Sequence, residues 1–149
     1  MSSQKLKIMM RPLVASTRSW GARRALSVTG TKWRSDAEDA PVVTLFTKKD
    51  CSLCDDVVAV LRKYRRHYPH SLEAVDITDK EHGEWHGRYW MDIPVLQMDG
   101  EFWAKHRISA DEVVAALVDA TNGEFVARKG EPDGRSALRR RLRDEDVHA

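Results

Sequence analysis

The chain has 149 residues, 42% hydrophobic and 32% charged, enough for one domain around a single core. No segment approaches the ~18 uninterrupted apolar residues of a membrane span. The net charge of +2 conceals an asymmetry. Residues 1–35 carry eight bases and no acid, which leaves 17 bases against 23 acids in the remainder. The overall basicity is therefore no argument for a nucleic-acid partner.

Residues 1–35 are rich in Arg, Ser and Thr, and their apolar residues (Leu6, Ile8, Met9, Leu13, Val14, Trp20, Leu26) are scattered. The 7–15-residue apolar stretch of a secretory signal is missing, whereas the composition is that of a mitochondrial transit peptide, with the matrix as destination. The alternative is a basic extension kept in the mature protein. The loop Arg34–Pro41 turns from basic to acidic and ends at proline, so residues 36–41 read as a linker. Val42–Thr47 is a short apolar run suited to a buried strand. After Lys48-Lys49-Asp50, a helix begins at the cysteine pair, with Cys54, Val57, Val58, Leu61 and Tyr64 on one buried face. Its basic end, Arg62-Lys63-Arg65-Arg66, and Pro69 mark the stop.

Leu72–Ile77 reads as a second strand, with Leu72, Ala74 and Asp76 sharing a face, and residues 79–90 as a weakly patterned helix. Pro94–Met98 and Glu101–Lys105 form a hairpin around Asp99-Gly100. Ser109 caps a last helix, whose buried stripe is expected at Val113, Val114, Leu117 and Val118, and Asn122-Gly123 ends it. The domain is thus expected over residues 42–123, with 124–149 a polar, solvated or disordered tail. The order strand, helix, strand, helix, hairpin, helix begins with a parallel βαβ unit. It implies a thioredoxin-like α/β fold with a central four-stranded mixed sheet flanked by helices.

The chain has two cysteines, Cys51 and Cys54, three positions apart. Two thiols cannot close a structural zinc site, which needs about four ligands. At the start of a helix, one thiol can attack a substrate disulfide and the other can resolve the mixed disulfide. The helix N-terminus favours the thiolate of the first. Cys51, at the exposed entrance, is the expected nucleophile, and Cys54, one turn deeper on the apolar face, the resolving thiol. Lys48 and Lys49 add positive charge nearby, opposed by Asp50, Asp55 and Asp56.

The stretch Thr44–Cys54, then Asp92-Ile93-Pro94-Val95-Leu96, then Asp99-Gly100 resembles the glutaredoxin-like proteins of the thioredoxin superfamily, over roughly residues 42–120. Closest is a branch with a Cys-Ser-Leu-Cys type motif. The resemblance implies a cis Ile93–Pro94 bond beside Cys51, with the Ile93 backbone pairing with bound substrate. It also implies that Lys48 meets a carboxylate of glutathione, the possible co-substrate. Glutaredoxins usually carry an aromatic residue where this chain has Leu53 and Thr where it has Asp92. Their Gly-Gly pair before the last helix is replaced around Arg107. A carboxylate at Asp92 and the lost glycines are expected to weaken glutathione binding.

Three other features point elsewhere and are set aside. His82 and His86 stand four apart, but Gly83 follows the first where zinc proteases need Glu, so two solvated surface histidines are expected and no metal site. The run Arg135–Arg143 is flanked by acids, giving residues 124–149 seven bases against six acids. Trp85, Trp90, Phe102 and Trp103 are expected in core and hairpin packing. The sequence therefore leads to a monomeric thiol–disulfide oxidoreductase acting on protein or glutathione disulfides, with no bound cofactor and no nucleic-acid partner. The alternatives are a non-catalytic adaptor or assembly factor and a glutathione or iron–sulfur carrier. The carrier is disfavoured because Cys54 can close the Cys51 thiolate off as a disulfide.

Overall fold

The computed structural model describes residues 27–148. Its elements in chain order are β1 (Gly30–Trp33), β2 (Val42–Thr47), α1 (Ser52–Tyr64), β3 (Ser71–Asp76), a 3-10 turn (Lys80–His82) running into α2 (Gly83–Tyr89), β4 (Val95–Met98), β5 (Glu101–Lys105), α3 (Ala110–Thr121) and α4 (Gly134–His148). The strands form one mixed sheet in the order β1-β3-β2-β4-β5. β2 and β3, joined through α1, run parallel, and β4 is antiparallel to both β2 and β5. The four strands β3-β2-β4-β5 are the thioredoxin-like sheet expected from the sequence.

Strand alternation sends side chains to two cores. On one face Val43, Leu45, Leu72, Leu96 and Met98 lie under Val57 and Leu61 of α1 and Val113, Ala116 and Leu117 of α3. On the other, Phe46, Val95 and Phe102 pack with Tyr89 of α2. Asp99 and Gly100 both have positive φ, at 49° and 85°, which is what a tight two-residue hairpin needs. Ser109 and Glu112 form a reciprocal capping box at the start of α3. The buried stripe of α3 is Val113, Ala116 and Leu117, whereas Val118 is 39% exposed. The side chains at i, i+3 and i+4 share the inward face here, and Ala116 was passed over because alanine carries little apolar signal.

The sheet has five strands rather than four, and the fifth corrects the domain boundary. β1 pairs antiparallel with β3, and Trp33 is buried in the main core. Ser27 Oγ and Thr29 Oγ1 each donate to Asp79 Oδ2 at 2.7 Å, and the Val28 N–H donates to Asp76 Oδ2 at 3.2 Å. Residues 27–35 are therefore packed on the sheet, and the folded domain begins before residue 42. The rest of the expected transit segment, residues 1–26, lies outside the described residues. A four-residue strand exposed at all but its last position leaves no period-2 signal to read.

Residues 124–137 also make contacts with the domain. Phe125 packs on the core, the Arg128 N–H donates to the Phe102 carbonyl at 2.9 Å, and α4 docks against α2. Glycine permits that docking: a Cβ on Gly134 would lie 2.7 Å from the Trp90 indole nitrogen and 3.0 Å from the Gly87 carbonyl oxygen. His82 is likewise not a solvated surface residue. It is half-buried, and its Nδ1 lies 2.9 Å from the Asp76 carbonyl oxygen.

Trp33→Ala is expected to cost about 3–5 kcal/mol in urea unfolding, the usual range for a buried tryptophan. An unchanged midpoint would show β1 to be a mere appendage. His70 supplies a second test. It is 1% exposed, and its Nδ1–H donates to the Tyr68 carbonyl at 2.7 Å. Burial holds its pKa below the ordinary 6.5, aided by the nearby Arg65 charge and partly opposed by the Tyr68 bond. As pH falls through 6.5 the unfolded chain takes up a proton that the fold refuses, so stability declines with acidification. His70→Asn is expected to flatten that decline in urea midpoints measured at about pH 7.5 and about pH 5.5; an unaltered decline would contradict it.

Candidate redox site

β2 delivers the chain to the site. It ends at Thr47, Lys48 follows exposed, and Lys49-Asp50 turn the backbone, with Asp50 at φ 61°. Aspartate is among the few residues that tolerate this left-handed region. Cys51 then stands as the N-cap of α1, and its Sγ accepts a hydrogen bond from the Cys54 N–H at 3.2 Å. The sulfur thus occupies the position that Ser or Asp oxygen takes in an ordinary cap, facing the unsatisfied N–H groups at the positive helix end.

Cys51 is half-buried, whereas Cys54 is 3% exposed, on the face that also buries Val57 and Leu61. The two are joined as a disulfide with Cα atoms 5.2 Å apart. Spacing and helix thus give the two sulfurs different surroundings, one at the surface and one beneath it.

The Ile93–Pro94 bond is cis. Phe46 pairs with Val95, so Pro94 lies beside Thr47, at the end of β2 from which the cysteine loop departs. Pro94 is buried, and its carbonyl accepts the His106 N–H at 2.7 Å, while Ile93 packs half-buried against the Phe46–Tyr89 cluster. Lys48, Cys51, Ile93 and Pro94 are thereby brought to one end of the inner strands β2 and β4, and Cys54 lies below them.

Asp92 differs from its sequence reading. Its Oδ1 accepts from Lys105 Nζ at 3.3 Å and lies 3.1 Å from His106 Nε2, so the carboxylate is paired. His106 sits at φ 67°, where the missing glycines would have given the same backbone freedom. This Asp92–Lys105–His106 group was not foreseen. The signal was Lys105-His106-Arg107 in place of glycines at the hairpin end, opposite an acid that precedes Ile93.

A second polar group braces the loop from behind. Tyr89 OH donates to Glu131 Oε1 at 2.6 Å and accepts from Gln97 Nε2 at 3.1 Å, while Arg88 Nη2 donates to the same Glu131 oxygen at 2.7 Å. Burial, reinforced by Glu131, pushes the Tyr89 hydroxyl up to about 12, so it stays a neutral donor. Among the described residues no three His, Cys, Asp or Glu side chains are grouped as for a metal ion.

Residues 42–118 match the Glutaredoxin-like domain (DUF836), which is more than half of the chain. The chain belongs to this glutaredoxin-like family. A solved structure described as "Structure of a malarial protein" is also similar, at 19% identity over 58% of this chain and 99% of its own, with a TM-score of 0.42. The glutaredoxin-like span opens at β2 and closes within α3, and so contains Cys51, Cys54, Lys48, Ile93, Pro94 and the Asp92 group. β1 and α4 fall outside it.

Proposed function

We propose that the protein is a thiol–disulfide oxidoreductase in which Cys51 is the nucleophile and Cys54 the resolving thiol. The observation that carries this reading is the split between the two sulfurs: Cys51 caps the helix at the surface, and Cys54 lies buried one turn below. In the reduced protein the Cys51 thiolate attacks a substrate disulfide. An S–S bond forms to Cys51, and one substrate sulfur leaves as thiolate. Cys54, losing its proton, attacks Cys51 Sγ, which closes the Cys51–Cys54 disulfide and releases the second substrate thiolate. Two electrons pass to the substrate, and an external thiol of glutathione or dithiol type restores the pair. Lys48 and the Ile93 backbone are the groups in reach of a peptide-like substrate lying against Pro94.

Cys54→Ser is expected to accumulate mixed disulfides through Cys51, and Cys51→Ser to abolish reduction of a model disulfide, both read by intact mass and turnover. Full turnover without Cys51 would reject the enzyme reading, and equal trapping by both variants would void the division of roles.

For glutathione the pairing of Asp92 sets the expected size of effect. A partly exposed ion-paired carboxylate is worth roughly 1 kcal/mol or less. Slow turnover of glutathione mixed disulfides is expected. Asp92→Thr, which releases Lys105 and His106 toward an anionic substrate, should improve it by about fivefold at most, and Lys48→Ala should worsen it. Wild-type turnover at ordinary glutaredoxin rates, with Asp92→Thr inert, would overturn the argument.

The acid-free composition of the N-terminal segment supports a mitochondrial site of action. Since residues 27–35 belong to the fold, the targeting information is assigned to residues 1–26. Fused to a reporter, those residues should direct import, and a diffuse cytosolic signal would reject the assignment.

A further inference from the structure

Residues 27–29, which lead into β1, are tied to two carboxylates at and just after the end of β3. Ser27 Oγ and Thr29 Oγ1 donate to Asp79 Oδ2, each at 2.7 Å, and the Val28 N–H donates to Asp76 Oδ2 at 3.2 Å. Thr29 Oγ1 also accepts the Asp76 N–H at 2.8 Å, and Ser27 Oγ accepts the Thr29 N–H at 3.1 Å. We propose that the Leu26–Ser27 bond is the processing site of the imported chain, so that the mature protein begins at Ser27 with its new terminal ammonium held beside Asp79. The inference rests on the mitochondrial reading above and does not depend on the redox chemistry.

The sequence marks the place from one side. Six of the eight bases in residues 1–35 fall at or before Arg24 (Lys5, Lys7, Arg11, Arg18, Arg23 and Arg24), and residues 25–31 carry no charge. The other two, Lys32 and Arg34, lie in and beside β1. The basic, acid-free stretch that marks a transit peptide thus closes at Arg24. Processing peptidases of the matrix recognise an arginine shortly before the bond they cut and leave a small residue at the new terminus. Arg24-Ala25-Leu26-Ser27 offers both. The fold marks the place from the other side. A cut after Arg34 would remove β1 and with it Trp33, which is buried in the main core. A cut between Ser27 and Thr29 would remove part of the anchor on Asp79 and Asp76. Hydrolysis of the Leu26–Ser27 bond keeps every one of these contacts.

The chemistry of the cut suits its surroundings. Water adds across the amide: Leu26 leaves with a carboxylate, and Ser27 gains an amine that is largely protonated near neutral pH. That nitrogen is three bonds from the Ser27 hydroxyl, so the ammonium stands within about 6.5 Å of the Asp79 oxygen the hydroxyl binds. Asp79 is an ionised partner, since its bonds from Thr29 and Ser27, with the nearby His82, hold its carboxyl below the usual range. Among the described residues the one basic group against it is His82, at 3.6 Å. Cleavage therefore supplies a charge of the sign that this corner lacks. Aminopeptidases need a free N-terminus, and a terminus held by Asp79 resists further trimming.

The test imports the full chain into isolated mitochondria. Protease protection reports import, and mass spectrometry of the terminal peptide reports the N-terminus. The protected chain is expected to begin at Ser27. Arg24→Gln should lower the fraction that starts there by about tenfold, whereas Arg18→Gln should leave it unchanged. Asp79→Ala should be cut at the same bond yet yield termini trimmed beyond Ser27. A protected chain with a different terminus, or Arg24→Gln without effect, would overturn the cleavage site and leave import standing. A single Ser27 terminus in Asp79→Ala would overturn the anchoring role. A full-length chain that stays open to the protease would reject the mitochondrial reading, and this inference with it.

Discussion

Cys51 Sγ accepts the Cys54 N–H at the first turn of α1, and the rest of the site depends on this one cap. It needs a chain reversal between a buried strand and a helix, which Asp50 supplies by adopting positive φ. It needs the helix to be held down, which Val57 and Leu61 do against Leu45 and Leu72. And it needs the next helical turn to point inward at Cys54, which the spacing of three residues secures. Substituting the cap would remove both the acceptor of that N–H and the reactive atom.

Around this entrance the parts divide by rigidity. Pro94, its carbonyl bonded to the His106 N–H, is a fixed wall, and the Tyr89–Glu131–Arg88 group fastens the C-terminal segment behind it. Lys48 is exposed at the front and is in no ion pair among the described residues. Asp92 is neither free nor buried: its carboxylate is shared between Lys105 and His106. The fold thus places the buried Pro94 beside the exposed Lys48 and Lys49.

The parts that were legible in the sequence are those with a strong local signal. The apolar run of β2, the 3.6-residue period of α1, Asp99-Gly100 and the Ser109 cap each specify their element from neighbours in sequence. The cysteine pair was legible for the same reason. What escaped depends on contacts far apart in the chain. β1 has three exposed residues and one buried tryptophan, and its partner β3 lies about forty residues away. α4 has no apolar period, and its docking rests on Gly134 meeting Gly87 and Trp90. The pairing of Asp92 with His106 spans 14 residues across the hairpin. In each case a long-range contact made an unpatterned segment part of the fold.

The central claim is that the Cys51–Cys54 bond is opened and closed in use rather than retained as a staple. Equilibrating the protein against glutathione buffers of graded potential, with the thiol state read by intact mass, measures this most directly. The account predicts one two-electron transition, tenfold in ratio per ~30 mV, centred in the range of about −120 to −270 mV typical of dithiol oxidoreductases. A midpoint below about −300 mV, the region of structural disulfides, would contradict it.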